Sequence, residues 1–141
     1  MSYITQPEME ARFSVADLIA LTDRAEPPAG VINVTVLNEA LDQASGLLDG
    51  YINRQYVVPV AAPTADLKLH CCNIAYYLLH RDSAPEKVTK DYEFALRWAR
   101  DVADARIQLP GATPPTEETA SDGAEIDAPD RIFTNSSMSG Y

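Results

Sequence analysis

The chain has 141 residues, of which 46% are hydrophobic and 23% charged, and its formal net charge is −10. This length favours one domain, and the hydrophobic share is sufficient for a packed core. The excess of acids argues against a nucleic-acid-binding protein, because phosphate binding requires clustered Lys and Arg. Residues 110–141 hold six acids and one base, Arg131, so half of the net charge lies in this segment.

Cysteine usage and hydropathy indicate the compartment. The two cysteines, Cys71 and Cys72, are adjacent. Neighbouring side chains on a helix point in different directions, so we expect buried, reduced thiols rather than a disulfide. No apolar run approaches the ~18 residues of a membrane span, and the N-terminus has no basic region followed by an apolar one. We therefore expect a soluble intracellular protein without an export signal and with no membrane association.

Two short helices joined at an elbow are predicted at the N-terminus. Thr5 is suited to cap the first helix, with Pro7 and Glu8 in its first turn. Ser14 and Asp17 form an imperfect capping box for the second helix.

A long amphipathic helix follows, capped by Asn33 or Thr35. Pro59 predicts that it ends near Gln55 or Tyr56, since proline cannot continue a helix. The residues of its apolar stripe recur at spacings of three and four and are Val34, Leu37, Leu41, Ala44, Leu48 and Ile52.

Two glycines, Gly46 and Gly50, lie one turn apart in this helix. Each costs about 1 kcal/mol relative to alanine in a helix interior. We expect this cost to be offset by the close approach of a neighbouring helix, which a missing Cβ permits. Tyr51 and Tyr56 carry large rings with a polar tip, which suits a core edge or an interface.

Two further helices are predicted. The first is capped by Thr64 and is apolar on most of its circumference, which predicts a central position. The second begins at a capping box, Ser83-Ala84-Pro85-Glu86, and runs to about Leu109, where Pro110-Gly111 stops it. Trp98 lies off the centre of its apolar stripe, which fits either the core edge or a subunit contact.

These elements predict an all-α fold class. Residues 1–109 would form a helical domain, a small bundle of short N-terminal helices plus about three longer helices. Residues 110–141 are interpreted as an acidic, Pro-rich linker and an extended, conditionally ordered C-terminal docking arm. A frayed tail with accidental apolar residues is the alternative. The candidate partner-binding residues of the arm are Arg131, Ile132, Phe133, Met138, Gly140 and Tyr141.

The sequence offers little organised chemistry. No glycine-rich phosphate loop follows a strand. His70 and Cys71 supply only a partial metal set, so His70 is interpreted as a satisfied core or boundary histidine. Asp101 and Asp104 follow Arg97 and Arg100 by one turn, which is typical of a solvated ion-pair face. We therefore expect no enzyme, with no catalytic, metal or cofactor-binding residues; an enzyme using either the aspartate pair or His70 with Cys71 is the least favoured hypothesis.

Several motifs together resemble the small head-region proteins of Mu-like phages and prophages, a family long of unknown function. They span most of the chain in a consistent order. The motifs are Tyr3 to Arg24, Ala44-Ser45-x-x-x-Asp49-Gly50-Tyr51-Ile52-x-x-x-Tyr56-x-x-Pro59, Cys72-Asn73-Ile74-Ala75-x-Tyr77-x-Leu79, Tyr92-Glu93-x-Ala95-Leu96-Arg97-Trp98, Asp130-Arg131-Ile132-Phe133 and Met138-x-Gly140-Tyr141.

That family is similar to the head–tail connector adaptors, or head-completion proteins, of long-tailed phages. The resemblance implies a virion protein at the head–tail junction that forms a homo-oligomeric ring beneath the portal protein. By analogy with portals the ring would have about twelve subunits. It would dock the next neck or tail-terminator protein, and DNA would pass through without sequence-specific binding.

A second hypothesis is a small acidic regulatory protein that masks a basic host or phage partner. The tail discriminates between the two hypotheses. An adaptor requires Arg131 to Tyr141 for docking, whereas an acidic mimic requires the carboxylates of residues 117–130.

Overall fold

The computed structural model describes residues 2–116, and within them the chain is helical with no strand. The predicted all-α class is therefore confirmed. The arm residues Arg131 to Tyr141 lie outside the described residues. The five helices are α1 (Gln6–Arg12), α2 (Val15–Thr22), α3 (Val34–Ile52), α4 (Ala65–Leu79) and α5 (Glu86–Ala103).

The N-terminal elbow forms as predicted, with one difference. The Glu8 carboxylate accepts a hydrogen bond from the Thr5 backbone N–H at 2.8 Å, so α1 begins with half of a reciprocal capping arrangement. Lys68 of α4 also pairs with Glu8, at 2.7 Å, and this contact fastens α1 to the bundle. Ser14 precedes α2, but its side chain makes no capping hydrogen bond, so the predicted box with Asp17 is not formed.

A buried threonine joins the end of α2 to the start of α3. The Thr22 hydroxyl donates to the Leu18 carbonyl at 2.7 Å and accepts from the Asn33 N–H at 3.0 Å. Asn33, rather than Thr35, is the cap of α3, since its side-chain oxygen accepts from the Val36 N–H at 3.3 Å.

The predicted central position of α4 is confirmed, because α4 packs against both α3 and α5. It begins after Thr64, whose hydroxyl accepts from the Leu67 N–H at 3.2 Å. Its buried side chains are Leu67, His70, Cys71, Cys72, Ile74, Ala75 and Leu79. Both cysteines are free thiols in this core, as predicted.

The start of α5 differs from the prediction. The first helical bond runs from the Thr89 N–H to the Pro85 carbonyl at 3.0 Å, so Pro85 holds the cap position. Ser83 therefore lies two residues before the cap, too far along the chain to bond the first turn, and the predicted capping box is wrong.

The end of α5 was also predicted too late. The helix stops at Ala103 because Ala105 adopts a left-handed backbone with φ 59°. The Ala105 N–H donates to the Val102 carbonyl at 3.0 Å and the Arg106 N–H to the Asp101 carbonyl at 2.8 Å, which is the bonding of a Schellman motif.

After this stop the chain returns to the bundle. The Leu109 N–H donates to the Tyr56 hydroxyl at 3.1 Å, and the Thr113 carbonyl accepts from the Val57 N–H at 2.8 Å. Packing therefore continues past the predicted boundary at residue 109. Tyr51 and Tyr56 both lie half-buried at the core edge.

The expectation for Gly46 and Gly50 within the chain is wrong. A Cβ built on either glycine meets no atom within 4 Å, so no helix of the described chain approaches them. Both residues are exposed on the outward face of α3. Their helical cost is therefore not offset by packing within this subunit.

The left-handed Ala105 generates a stability prediction. Ala105→Gly should raise the free energy of unfolding by about 1 kcal/mol, because glycine adopts positive φ without the Cβ clash. The measurement is denaturant unfolding followed by circular dichroism. Ala20→Gly is the matched control, since Ala20 is exposed inside α2 and should lose about 1 kcal/mol. Equal losses in both variants would contradict this account of the α5 terminus.

Candidate functional site

A set of buried polar contacts ties the N-terminal segment to the bundle; we call Tyr3, Ser45, Asp49 and Val60 the N-terminal clamp. The Tyr3 hydroxyl donates to the Asp49 carboxylate and accepts from the Val60 N–H, the latter at 3.0 Å. Tyr3 is thus held against α3 and against the chain that leaves α3. The residues joined lie far apart in sequence, so the clamp closes the bundle at this end.

Ser45 is the second anchor of the clamp. Its hydroxyl accepts from the Tyr3 N–H at 3.0 Å, donates to the Leu41 carbonyl at 2.9 Å, and lies 3.3 Å from the Cys71 sulfur. All three contacts are buried, so this side chain has its hydrogen-bonding capacity used in the core.

The Tyr3 hydroxyl and the adjoining Cys71 thiol are favoured in their protonated, neutral forms. Burial, and then the hydrogen bond to Asp49, raise the pKa of Tyr3 well above its usual value. Burial raises the pKa of the Cys71 thiol to about 11. A protonated, enclosed thiol is a poor nucleophile, so the Ser45–Cys71 contact is structural in character.

The second feature is an open groove beside α4, here called the aromatic groove. It comprises a cavity of about 430 Å³ and an adjoining one of about 270 Å³, which share Phe13, Asn73, Lys87 and Asp91. Its walls come from the elbow after α1, from α4 and from the first half of α5. The remaining lining residues are Arg12, Leu69, His70, Tyr76, Pro85, Val88 and Phe94.

Rings dominate this groove. The His70 ring lies 4.5 Å from Trp98 and 5.6 Å from Phe94, centroid to centroid. Phe94 and Trp98 are one helical turn apart on α5, so they flank the imidazole. Trp98 is buried with the core residues, whereas Phe94 is 57% exposed. Phe13 stacks on Tyr76 at 3.9 Å on the other side.

His70 is buried but not satisfied, contrary to the prediction. The residue is 4% exposed, and its Nδ1 is buried with no hydrogen-bond partner. Burial lowers the pKa of His70, which outweighs the opposing effect of the Asp66 carboxylate. The neutral imidazole therefore carries an unpaired polar atom in the groove wall, at a typical cost of about 1–3 kcal/mol.

The other chemical candidates are dispersed. Asp101 pairs with Arg106 at 3.5 Å and Asp104 with Arg54 at 3.9 Å, so the predicted partners Arg97 and Arg100 are wrong. The α5 terminus explains this, because the Schellman turn brings Arg106 back beside Asp101. No group of three or more potential metal ligands occurs in residues 2–116. In the same part of the chain, no helix combines the length and apolarity that a membrane span requires.

A depression of about 920 Å³ lies between the α2–α3 and α4–α5 connections. Its charged residues are of both signs: Arg24 and Arg81 accompany Asp23, Glu26 and Asp82. Mixed charges on open loops offer no single ligand chemistry, so we do not place a site there.

Comparison with known proteins decides the family. The family described as "Bacteriophage Mu, Gp36" matches residues 3–128. The Mu-like prophage FluMu protein gp36 of Haemophilus influenzae is 31% identical over 116 residues, which cover 82% of each chain. Gene product J of Escherichia phage Mu is 31% identical over 106 residues, covering 75% of this chain and 74% of that protein.

The chain belongs to the phage Mu Gp36 family. The resemblance to Mu-like phages and prophages that the motifs indicated is therefore confirmed. The region matched to the Gp36 family contains the whole N-terminal clamp and the aromatic groove. The arm residues Arg131 to Tyr141 lie beyond it.

Sequence reasoning missed several residues of these two features. Tyr3, Ser45 and Asp49 were present in the motifs, but no local pattern indicated that they meet across 42 to 46 positions. Phe94 gave a signal that was overlooked: it is an aromatic residue outside the apolar stripe of α5, one turn before Trp98.

The clamp predicts that Tyr3→Phe destabilises the fold. The variant leaves the buried Val60 N–H without an acceptor, so the free energy of unfolding should fall by about 1–3 kcal/mol. Chemical denaturation measures this change. Tyr51→Phe, which removes a half-buried tyrosine hydroxyl outside the clamp, should change stability much less. Equal effects from the two substitutions would argue against a specific role for Tyr3.

His70 predicts a pH dependence of stability. The unfolded chain protonates His70 near its ordinary pKa of about 6.5, whereas the folded chain resists protonation to lower pH. The free energy of unfolding should therefore fall as the pH is lowered from 7 to about 5. His70→Phe should reduce this slope and leave stability at pH 7 equal or higher, since it removes the unpaired nitrogen.

The control is His80→Gln, which alters the other histidine, at the end of α4. Denaturant titrations at several pH values should show the original slope in this variant. Persistence of the full slope in His70→Phe would show that another group causes it.

Proposed function

We propose that this protein is a structural protein of a phage virion, a head–tail connector adaptor. In this role its subunits form a ring beneath the portal protein and dock the next neck or tail-terminator protein. DNA passes through the ring without sequence-specific binding. The protein acts in the virion and, before that, in the cytoplasm of the host bacterium during assembly.

Family membership supports the phage setting. The two relatives belong to a prophage and to phage Mu, and each match covers about three quarters or more of both chains.

The observation that carries the proposal is the contrast between core and surface. The thiols, His70 and the Tyr3 hydroxyl are enclosed, and Asp101 and Asp104 pair with exposed arginines. The outside instead presents an exposed Phe94 beside an open groove. Such a distribution suits a protein that works by assembly rather than by catalysis.

The outward face of α3 is our proposed subunit contact. Gly46 and Gly50 leave two positions of this face without side chains, and a Cβ built on either meets no atom of another element within 4 Å. A second subunit could place a helix close to this backbone, and a contact that repeats head-to-tail closes into a ring. The close helix–helix contact that the two glycines permit is therefore proposed between two subunits, because it is not present within one.

The net charge of −10 favours one competing function, an acidic protein that masks a basic partner. The two functions differ in what the virion loses. An adaptor is required for joining heads to tails, whereas a masking protein is absent from the joint.

The test is a stop codon in this gene, in the phage that carries it, followed by negative-stain electron microscopy of the lysate. The adaptor function predicts DNA-filled or leaking heads beside separate, complete tails. Supplying the intact gene on a plasmid should restore joined virions. Normal virions from the stop mutant, or empty unexpanded shells, would overturn the proposal.

Complementation variants then test the subunit contact. Gly46→Leu should fold, because the space above Gly46 is open, but should not restore virions. Ala20→Leu adds the same side chain to an exposed position of α2 and should restore them. Restoration by Gly46→Leu would remove the α3 face from the contact and leave the adaptor role to be judged by the stop mutant alone.

A further inference from the structure

The aromatic groove presents an apolar side chain that a folded protein usually covers. Phe94 is 57% exposed, and His70, whose buried Nδ1 has no partner, lies behind it in the groove wall. Both residues line the same cavity of about 430 Å³. An occupant with apolar side chains would cover Phe94.

The chemistry of the groove selects a short peptide with separated aromatic and aliphatic residues. Phe13, Leu69 and Phe94 supply apolar contact, while Arg12, Lys87 and Asp91 supply polar groups. Residues 131–141 of this chain, RIFTNSSMSGY, have this composition. Ile132, Phe133, Met138 and Tyr141 are their apolar or aromatic members, and small polar residues separate the first pair from the last two.

Residues 131–141 are within reach of the groove from residue 116, where the described part of the chain ends. The Thr113 carbonyl is bonded to Val57, and the Gln55 side chain is bonded to the Ala103 carbonyl at 3.0 Å, so the chain departs near the end of α5. The 14 residues 117–130 can span up to about 46 Å when extended. The 18 residues of α5 measure about 27 Å, so the groove is within range.

Two arginines in the second half of α5 offer the acidic linker an attraction. Residues 117–130 contain all six acids of the C-terminal segment. The exposed side of α5 carries Arg97 and Arg100 together with Glu93, and Lys90 is paired to Glu86 one turn further on. Arg97 and Arg100 attract the acidic linker moderately at physiological ionic strength.

We propose that residues 131–141 bind in the aromatic groove of their own subunit. Tethering supplies a millimolar effective concentration, so a modest affinity suffices for occupancy in the free protein. The contact covers Phe94 until assembly offers another surface. This proposal concerns the isolated subunit and does not depend on the adaptor function.

The test uses a spin label on the full chain. Ser136→Cys adds a thiol to the segment, and burial raises the pKa values of Cys71 and Cys72, so the new thiol reacts selectively. Paramagnetic broadening of NMR signals then reports on proximity. We expect the label to remove most of the intensity of the Phe94 and Trp98 signals while leaving Val31, on the α2–α3 connection, unaffected.

Two pairs of variants test whether the contact is specific. Phe94→Ser should restore most of the lost Trp98 intensity, whereas Val31→Ser, which alters an equally exposed apolar residue, should not. In the segment, Phe133→Ser should have the same effect as Phe94→Ser, and Ile126→Ser in the linker should not. Matching results within either pair would overturn the proposed contact.

A mixed sample identifies the occupant. Isotope-labelled protein without the spin label is combined with spin-labelled protein of natural isotope abundance. Contact within one subunit predicts no broadening in this mixture. Broadening in the mixture would mean that the segment binds a second copy. An absence of broadening in every sample would mean that the segment does not bind the groove. Either result overturns the proposal. None of these results bears on whether the stop mutant separates heads from tails.

Discussion

The fold depends on burying α4 on several sides at once. This helix has little polar circumference, so two helices and an N-terminal segment are needed to exclude water from it. α3 and α5 both pack against it and against each other, and the Lys68–Glu8 pair holds α1 beside it. The hydrogen bond to Lys68 lowers the pKa of Glu8, so this contact remains charged at neutral pH.

Helix content and order could be predicted from the sequence because periodicity and caps are local signals. Asn33 and Thr64 each mark a helix start with a side-chain oxygen that accepts from the backbone N–H three residues on. The ends of α5 were harder. Pro85 and Ser83 compete for one cap, and an alanine at positive φ, as at Ala105, has no sequence signature.

The groove and the clamp were beyond prediction for a different reason: they depend on which residues meet, not on which residues are present. His70 was correctly placed in the core, but its missing partner follows from the ring arrangement around it. Gly46 and Gly50 were identified as unusual, yet only the packing reveals that they face outward. The sequence indicates that such a residue lowers the stability of the fold. Only the tertiary structure shows whether another contact offsets that loss.

The clamp also has a kinetic consequence. α3, α4 and α5 are consecutive, so the contacts of α4 with each of its neighbours require little loop closure. The bonds of Tyr3 to Val60 and of Leu109 to Tyr56 instead join residues 57 and 53 positions apart. Both converge on the segment that follows α3. This end of the bundle is therefore expected to close last during folding and to open first in native-state fluctuations.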